Sequence, residues 1–449
     1  MKKFRLLVVA LFVAATASAQ NNRQASTSHA GYGADSYSPT VYMIAVEEVD
    51  PITPATSCDR LQLMGSATLD YIETHRSGFQ QTSKPMFLFA SRDNRYSLAL
   101  GGYIALRASY DMDGISDNLD FIPYAIPLTA DYNNRQQLLM DASTSRLYLK
   151  GIANSSTLGR IVIYVDADFR GGAEQSYTPR LRSAYVSMLG LTVGRDVSTF
   201  CDLDAAPNTI DFQGPNAYNF NFATMIRYNR SFIDDHLSMG VALEMPSVSG
   251  TYSDSYLAMR QRIPDIPVYL QYAWGENRDS HIRASAVFRN MYVRNMVDAD
   301  NVRLFGWGTQ FSGTIKLFPA LRLFMNGVYG KGITPYIQDL TGSGLDFLPD
   351  SSGEAIEVMP MWGWQAAAQV NILPRLTLSG GYSMVNVERK SGYSFDEEYK
   401  RGTYIFGNVI YALSPRCTVG AEYLYGTRKN MDAVKGHANR VNLELKYHF

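Results

Sequence analysis

Arg160-Ile161-Val162-Ile163-Tyr164-Val165-Asp166-Ala167-Asp168-Phe169 is the stretch on which the fold class turns. Ile161, Ile163, Val165, Ala167 and Phe169 share one parity, and Arg160, Tyr164, Asp166 and Asp168 share the other. Side chains of an extended strand point alternately to opposite faces, so the segment reads as a strand with one apolar and one polar face. Leu237, Met239, Val241 and Leu243 oppose Ser238, Gly240, Ala242 and Glu244 in the same way. Ile282, Ala284, Ala286 and Phe288 oppose Arg283, Ser285 and Arg289, and Trp307, Phe311, Ile315 and Leu317 oppose Gln310, Ser312, Thr314 and Lys316. At the end of the chain, Val441, Leu443, Leu445, Tyr447 and Phe449 oppose Asn442, Glu444, Lys446 and His448. A soluble β-sandwich alternates too, so alternation leaves two fold classes open.

The connections separate them. Strands are predicted near 97–110, 145–153, 160–169, 181–189, 191–200, 222–231, 237–244, 268–274, 281–292, 304–317, 321–330, 361–372, 376–388, 404–413, 417–428 and 440–449. Long connections follow the odd-numbered members of that series: 111–144, 170–180, 201–221, 245–267, 293–303, 331–360, 389–403 and 429–439. Short ones follow the even-numbered members, and three are alike: Leu317-Phe318-Pro319-Ala320-Leu321, Ile372-Leu373-Pro374-Arg375-Leu376 and Leu413-Ser414-Pro415-Arg416-Cys417. Proline fixes φ and lacks an N–H, which suits a tight turn that stops the ladder. Long–short alternation is the pattern of an up-and-down barrel with short periplasmic turns and long outer loops. Lipid offers no partner to an unpaired backbone group, so a spanning sheet must close on itself. An all-β, transmembrane, antiparallel barrel of about 16 strands is predicted. Two strands break the alternation: Arg182 shares the parity of Ala184, Val186 and Met188, and Arg195 that of Leu191, Val193 and Val197. Either a bulge near Gly190 or Gly194 shifts the register, or these strands face protein at a subunit interface.

The ends of the chain fit export to a membrane. Lys2, Lys3 and Arg5 precede an apolar run from Leu6 to Ala15, then Ala17-Ser18-Ala19, so 1–19 reads as a secretory signal. Residues 20–95 read as a periplasmic N-terminal arm, disordered over its Ser-, Asn- and Gln-rich start. Within the arm, Leu61, Met64, Thr68, Tyr71, Ile72 and His75 line one face of a short predicted helix. The barrel takes 96–449. Phe449, terminal and on the apolar parity, resembles the end of bacterial outer-membrane barrels, where that residue serves the assembly machinery. The longest uncharged stretch after the signal, 358–374, is broken by Pro360, Gln365, Gln369, Asn371 and Pro374, so no spanning helix is expected there.

Charge and motifs narrow the function. Without Lys2, Lys3 and Arg5, 38 basic residues face 42 acidic ones, a net of −4, which argues against a nucleic-acid partner. Cys58, Cys201 and Cys417 form neither a disulfide framework nor a metal knuckle. The histidines (His29, His75, His236, His281, His437 and His448) lie before the barrel, near its turns or in a loop. Neither G-x-S-x-G nor H-E-x-x-H occurs, so no catalytic residue, metal or cofactor is expected. The lumen remains. Arg146, Lys150, Arg160, Arg283, Arg289, Lys316 and Arg322 have lumen parity, and the third long loop carries Asp202, Asp204 and Asp211. A loop folded inward would set the bore, with its acids facing the arginines in a transverse field.

One ordered run carries a family likeness. Arg182-Ser183-Ala184-Tyr185-Val186, Gly194-Arg195-Asp196-Val197-Ser198-Thr199-Phe200, Asp202, Pro207, Thr209-Ile210-Asp211-Phe212, Gly214-Pro215 and Arg227-Tyr228 resemble the DcaP-like outer-membrane porins. The resemblance is sharpest over 180–230 and extends more loosely from Gly101-Gly102-Tyr103-Ile104 to Phe449. It implies a 16-stranded homotrimeric porin of a Gram-negative outer membrane, admitting small and preferably anionic solutes such as dicarboxylates. It also adds Arg182, Arg195 and Arg227 to the lumen candidates. The family's periplasmic coiled-coil arm is not evident, because 20–95 lacks sustained heptads. Passive diffusion and ion transport through a loop-constricted barrel set in outer-membrane lipid is therefore the expectation. An adhesin or scaffold barrel with a blocked lumen is the alternative.

Overall fold

The computed structural model describes residues 41–45, 71, 73, 74, 78–91, 95–113, 119–129, 132, 135–173, 175–275 and 278–449. The signal reading over 1–19, and the helix over 61–75 except at 71, 73 and 74, lie outside the described residues. Sixteen antiparallel strands close into one barrel. They are β1 (Tyr96–Asp113), β2 (Gln137–Asp141 and Arg146–Ser155), β3 (Gly159–Asp168), β4 (Arg180–Met188), β5 (Leu191–Val197), β6 (Phe222–Phe232), β7 (Leu237–Glu244) and β8 (Ile266–Trp274). They continue as β9 (Ser280–Asn295), β10 (Asp300–Phe318), β11 (Leu321–Lys331), β12 (Pro360–Leu373), β13 (Leu376–Val387), β14 (Tyr399–Ser414), β15 (Cys417–Asn430) and β16 (Lys435–His448). β2 is two pieces, both paired to β1, with 142–145 between them. The barrel closes where β16 pairs back on β1, from Asn439 against Asp113 to His448 against Tyr103.

The predicted alternation is the radial direction of the side chains. Ile163, Val165, Met239, Val241, Leu243, Leu443, Leu445 and Tyr447 stand exposed on the outer wall. Asp166, Asp168, Glu244 and Asn442 are buried on the inner side. An apolar exterior around a charged interior is stable only where lipid is the outer solvent.

Three details depart from the expectations. β9 and β10 run on to Asn295 and Asp300, so the connection expected over 293–303 shrinks to 296–299. β15 and β16 likewise leave only 431–434 of the expected 429–439. Apolar alternation ends where lipid ends, but ladder hydrogen bonds need no apolar face to continue. The third departure is in β4. The register against β3 shifts so that Ser183 faces Asp166 and Leu181 faces Ala167, which leaves Arg182 as the extra residue of a bulge. The bulge lies at Arg182, not at Gly190 or Gly194, and it turns the arginine inward.

The edge of β1 beyond the end of β16 is covered. Phe449 and Gly102 exchange backbone hydrogen bonds in both directions, at 3.0 and 3.1 Å. Past that point a short strand, Phe87–Ser91, pairs with Ser97 to Leu100 of β1, and Val41–Ala45 pairs with it in turn. An exposed strand edge is a template for unwanted pairing, and the N-terminal segment occupies this one.

Candidate functional site in the barrel lumen

The loop 198–221 leaves β5 and crosses the lumen, and its backbone groups find partners on the walls. Thr199 N–H and the Ser198 hydroxyl donate to Glu244, at 2.7 and 2.6 Å. Further in, Ile210 and Asp211 N–H donate to Glu422 of β15 at 2.9 and 2.6 Å. Gln365 Nε2 donates to Ala205 O at 2.9 Å, and Ala217 N–H donates to Ser383 Oγ at 2.9 Å. Asn326 Nδ2 reaches Ala217 O at 3.0 Å. A loop inside a barrel persists only if such orphan groups are satisfied, and two wall carboxylates take the N–H groups at its two anchor points.

The loop acids are held locally. Asp202 accepts from His281 Nε2 at 2.8 Å and Ser312 Oγ at 2.6 Å. Burial pushes the Asp202 carboxyl up, but the His281 hydrogen bond and charge, Arg283 and Ser312 outweigh it and bring it to about 2. Asp204 donates its N–H to Asp202 at 3.2 Å. Asp211 accepts from Phe121 N at 3.2 Å, Gly214 N at 3.1 Å and Tyr404 Oη at 3.0 Å. Burial, with the Asp120 and Glu422 carboxylates nearby, pushes Asp211 upward. The expected field, loop acids against wall arginines, is mostly replaced by these local pairings.

A second segment enters from the N-terminal side. Phe79 N–H donates to Leu203 O of the loop at 2.7 Å. Its ring meets Tyr218 and Phe220 edge-on, with centroids 4.9 and 5.7 Å away. A Cβ on Gly214, at φ +74°, would lie 2.7 Å from that ring, and one on Gly78 would lie 2.5 Å from Leu203 O. Only glycine allows strap and loop to approach this closely. The Gln80 carbonyl accepts from Arg146, its side-chain oxygen accepts from Arg182 Nη2 at 2.5 Å, and its amide donates to Phe212 O. Tyr148 Oη donates to Ser83 O at 3.1 Å, and Lys150 Nζ lies 4.4 Å over the Tyr71 ring. We term 78–85 the strap.

The structure therefore brings Arg146 and Arg182 together on Gln80 of the strap, and sets Lys150 against Tyr71 ahead of it. Arg146 also pairs with Asp166, and Arg182 with Asp168 at 2.9 Å. Arg160 pairs with Glu73 at 2.9 Å, and Arg227 with Asp196 at 2.8 Å. Arg289 joins Asp265 and Asp346 at 3.0 and 3.2 Å, tying two outer loops to β9. Arg283 stacks 3.7 Å over Tyr269 and donates to Thr199 O at 2.5 Å. Arg195 is not in the lumen. β5 has no register shift, and Arg195 keeps the outward face of exposed Leu191 and Val193, opposite Thr224.

Two cavities border these inserted segments. One of about 480 Å³ is lined by Gln80, Thr82, Asp211, Arg322, Glu444 and Lys446. The other, of about 320 Å³, is lined by Asp202, Asp204, Arg227, Tyr269 and Arg283. Sequence reasoning missed the strap and the anchors Glu244 and Glu422. Both glutamates had lumen parity, and an acid facing a predicted inserted loop was the available signal. The strap, Gly78-Phe79-Gln80-Gln81-Thr82-Ser83, reads like linker and gave none.

The sequence profile of the DcaP outer membrane protein family matches residues 72–314. The chain is similar in structure to the outer membrane channel DcaP of Acinetobacter baumannii, with TM-score 0.70 and 21% identity over 80% of this chain and 99% of that one. It is also similar to an anion-selective porin of Comamonas acidovorans, with TM-score 0.51 and 14% identity over 79% and 100% of the two chains. OmpF of Salmonella typhi, in complex with daunomycin, gives TM-score 0.51 and 14% identity over 80% and 99%. No curated protein sequence matches.

Proposed function

The chain belongs to the DcaP outer membrane protein family, and from that premise we propose that it is a passive diffusion channel for small polar solutes, with a preference for anions. It is an outer-membrane β-barrel of the porin type. The observation that carries the proposal is the double constriction. Loop 198–221 spans the lumen between Glu244 and Glu422, and the strap lies against it through Phe79 and Gln80. Solute passage needs no covalent step, and none is proposed.

The anion preference is supported by which charges stay unmatched. Asp202 is paired with His281, and Glu244 and Glu422 are spent on backbone N–H groups. Arg283 and Arg322 border the cavities, and among the described residues neither makes a direct ion pair: Arg283 acts on Asp202, and Arg322 on Asp279, only at longer range. Cations beside a narrow path that are not locked in direct ion pairs raise the local concentration of anions.

Planar bilayer recording tests both levels. Discrete conductance steps are expected, with a reversal potential across a KCl gradient on the anion side. Arg283→Gln with Arg322→Gln is expected to move it toward the cation side. A silent bilayer would return the chain to the blocked-barrel scaffold, and an unmoved reversal potential would remove the anion preference.

The outer wall supports a homotrimer as part of the same proposal. β5, Leu191–Val197, is the shortest of the barrel strands, and it carries Arg195 outward. A cation at mid-wall costs ~2–4 kcal/mol against lipid, a cost that a neighbouring subunit would remove.

A further inference from the structure

The outer face of β9 and β10 carries a basic cluster that solute passage does not use. Outward side chains of β9 run Ile282, Ala284, Ala286, Phe288, Asn290, Tyr292, Arg294, and those of β10 run from Ile315 through Phe311, Trp307 and Phe305 to Arg303. The register sets Phe288 beside Trp307, Tyr292 beside Arg303, and Arg294 beside Asn301. At ~3.4 Å per residue and a tilt of ~45°, Ile282 to Tyr292 rises ~24 Å, the height of the apolar band of such a barrel. Tyr292 thus stands at the outer aromatic girdle, and Arg294 and Arg303 stand at or just above it.

The loop 245–265 completes the cluster. Gln261 accepts from Tyr292 N–H at 2.8 Å and donates to Tyr292 O at 3.0 Å, which fixes this stretch to β9. Exposed Arg262 lies over the Tyr292 ring, 5.8 Å from its centroid. Among the described residues, Arg262, Arg294 and Arg303 have no carboxylate partner, and Arg294 donates only to Asn301, at 3.3 Å. The acids nearest Arg294 and Arg303 in sequence, Asp298 and Asp300, accept from Asn295 Nδ2 at 3.0 Å and from Asn301 N at 2.6 Å, and Asp265, three residues from Arg262, is paired with Arg289.

We propose that Arg262, Arg294 and Arg303 form a binding site for the phosphate groups of an outer-leaflet glycolipid. Its acyl chains lie on the exposed rings of Phe288, Phe305 and Phe311 directly below. Guanidinium forks match phosphate oxygens in pairs, and a cationic cluster at headgroup height attracts anionic lipid. The apolar run beneath the arginines favours a lipid over a free anion, because both parts of one amphiphile find their match. The site lies on the outer wall, so it stands or falls independently of solute passage.

Native mass spectrometry of the full chain, released from detergent micelles loaded with bisphosphorylated lipid A, tests this. The wild type is expected to retain the lipid. Arg262→Gln with Arg294→Gln and Arg303→Gln is expected to bind it roughly a hundredfold more weakly, since each surface cation is worth about fivefold. Fully dephosphorylated lipid offered to the wild type, a comparison that needs no variant to fold, is expected to bind as weakly as that. Equal retention of the two lipids overturns the proposal, as does equal retention by variant and wild type. Displacement by inorganic phosphate at the lipid's own concentration would mark a free-anion site and also overturn it.

Discussion

At the scale of single residues, Glu422 and Asp339 matter most because each holds loops together inside the barrel. Glu422 takes two backbone N–H groups of the inserted loop and the Asn408 amide. Glu422→Ala leaves buried donors unpaired, at about 1–3 kcal/mol each. Larger and noisier conductance steps are expected, and a trace like the wild type's would show that Glu422 is no anchor. Asp339, in loop 332–359, accepts from Tyr399 Oη at 2.5 Å, Tyr124 N at 2.9 Å and Asn216 Nδ2 at 3.2 Å, so it joins three loops to β14. Burial pushes its carboxyl up to about 6, against the pull of those donors. The ionised acceptor therefore persists above about pH 6 and is lost as pH falls through that value. Conductance recorded from pH 7 to 5 is expected to become unsteady at the acid end. Asp339→Asn, neutral throughout, is expected to show the acid-like trace at both ends; a pH response surviving in it would put the sensor elsewhere.

At the scale of elements, the strap is the part whose removal should tell most. Phe79 belongs to a cluster with Val197, Cys201, Ala206, Tyr218 and Phe220, so Phe79→Ser withdraws an apolar anchor as well as an edge-on ring contact. Deleting 78–85 frees Arg146 and Arg182 from Gln80. The deletion is expected to raise conductance and to shift the reversal potential further to the anion side. Equal conductance in deletion and wild type would mean that the strap does not narrow the path. Gly214→Ala approaches the same contact from the loop, where the added Cβ meets the Phe79 ring and a strained φ.

Considered as a whole molecule, the barrel is held by closure and by its solvent. Its outer wall exposes Leu443, Leu445, Phe305 and Phe311, so detergent or lipid is required for monodisperse protein. The proposed homotrimer is expected to survive mild detergent, and Arg195→Glu is expected to weaken it by placing an acid where the wall is shortest. Native mass spectrometry reads this directly, and monomers alone in the wild type would remove the trimer.

The barrel was legible because lipid imposes a rule on every spanning strand: apolar outward, and each backbone group paired. Ile161 to Phe169 follow that rule, so strand number and closure followed from sequence, whereas the inward loop was placed only by its order among the long loops. Where the rule stops, so did the legibility. The hairpin ends at Asn295–Asp300 looked like loop because water accepts either parity. Arg182 looked misplaced until a bulge supplied the missing register step. Arg195 was assigned to the lumen on the family likeness, against its own parity, whereas unbroken register keeps it outside. The strap was invisible because Gly78, Gln80 and Ser83 are polar or small and carry no periodicity. Composition and alternation determined a closed tube in a membrane; which polar segments fill it was decided only when distant backbone donors met the carboxylates and arginines of its inner wall.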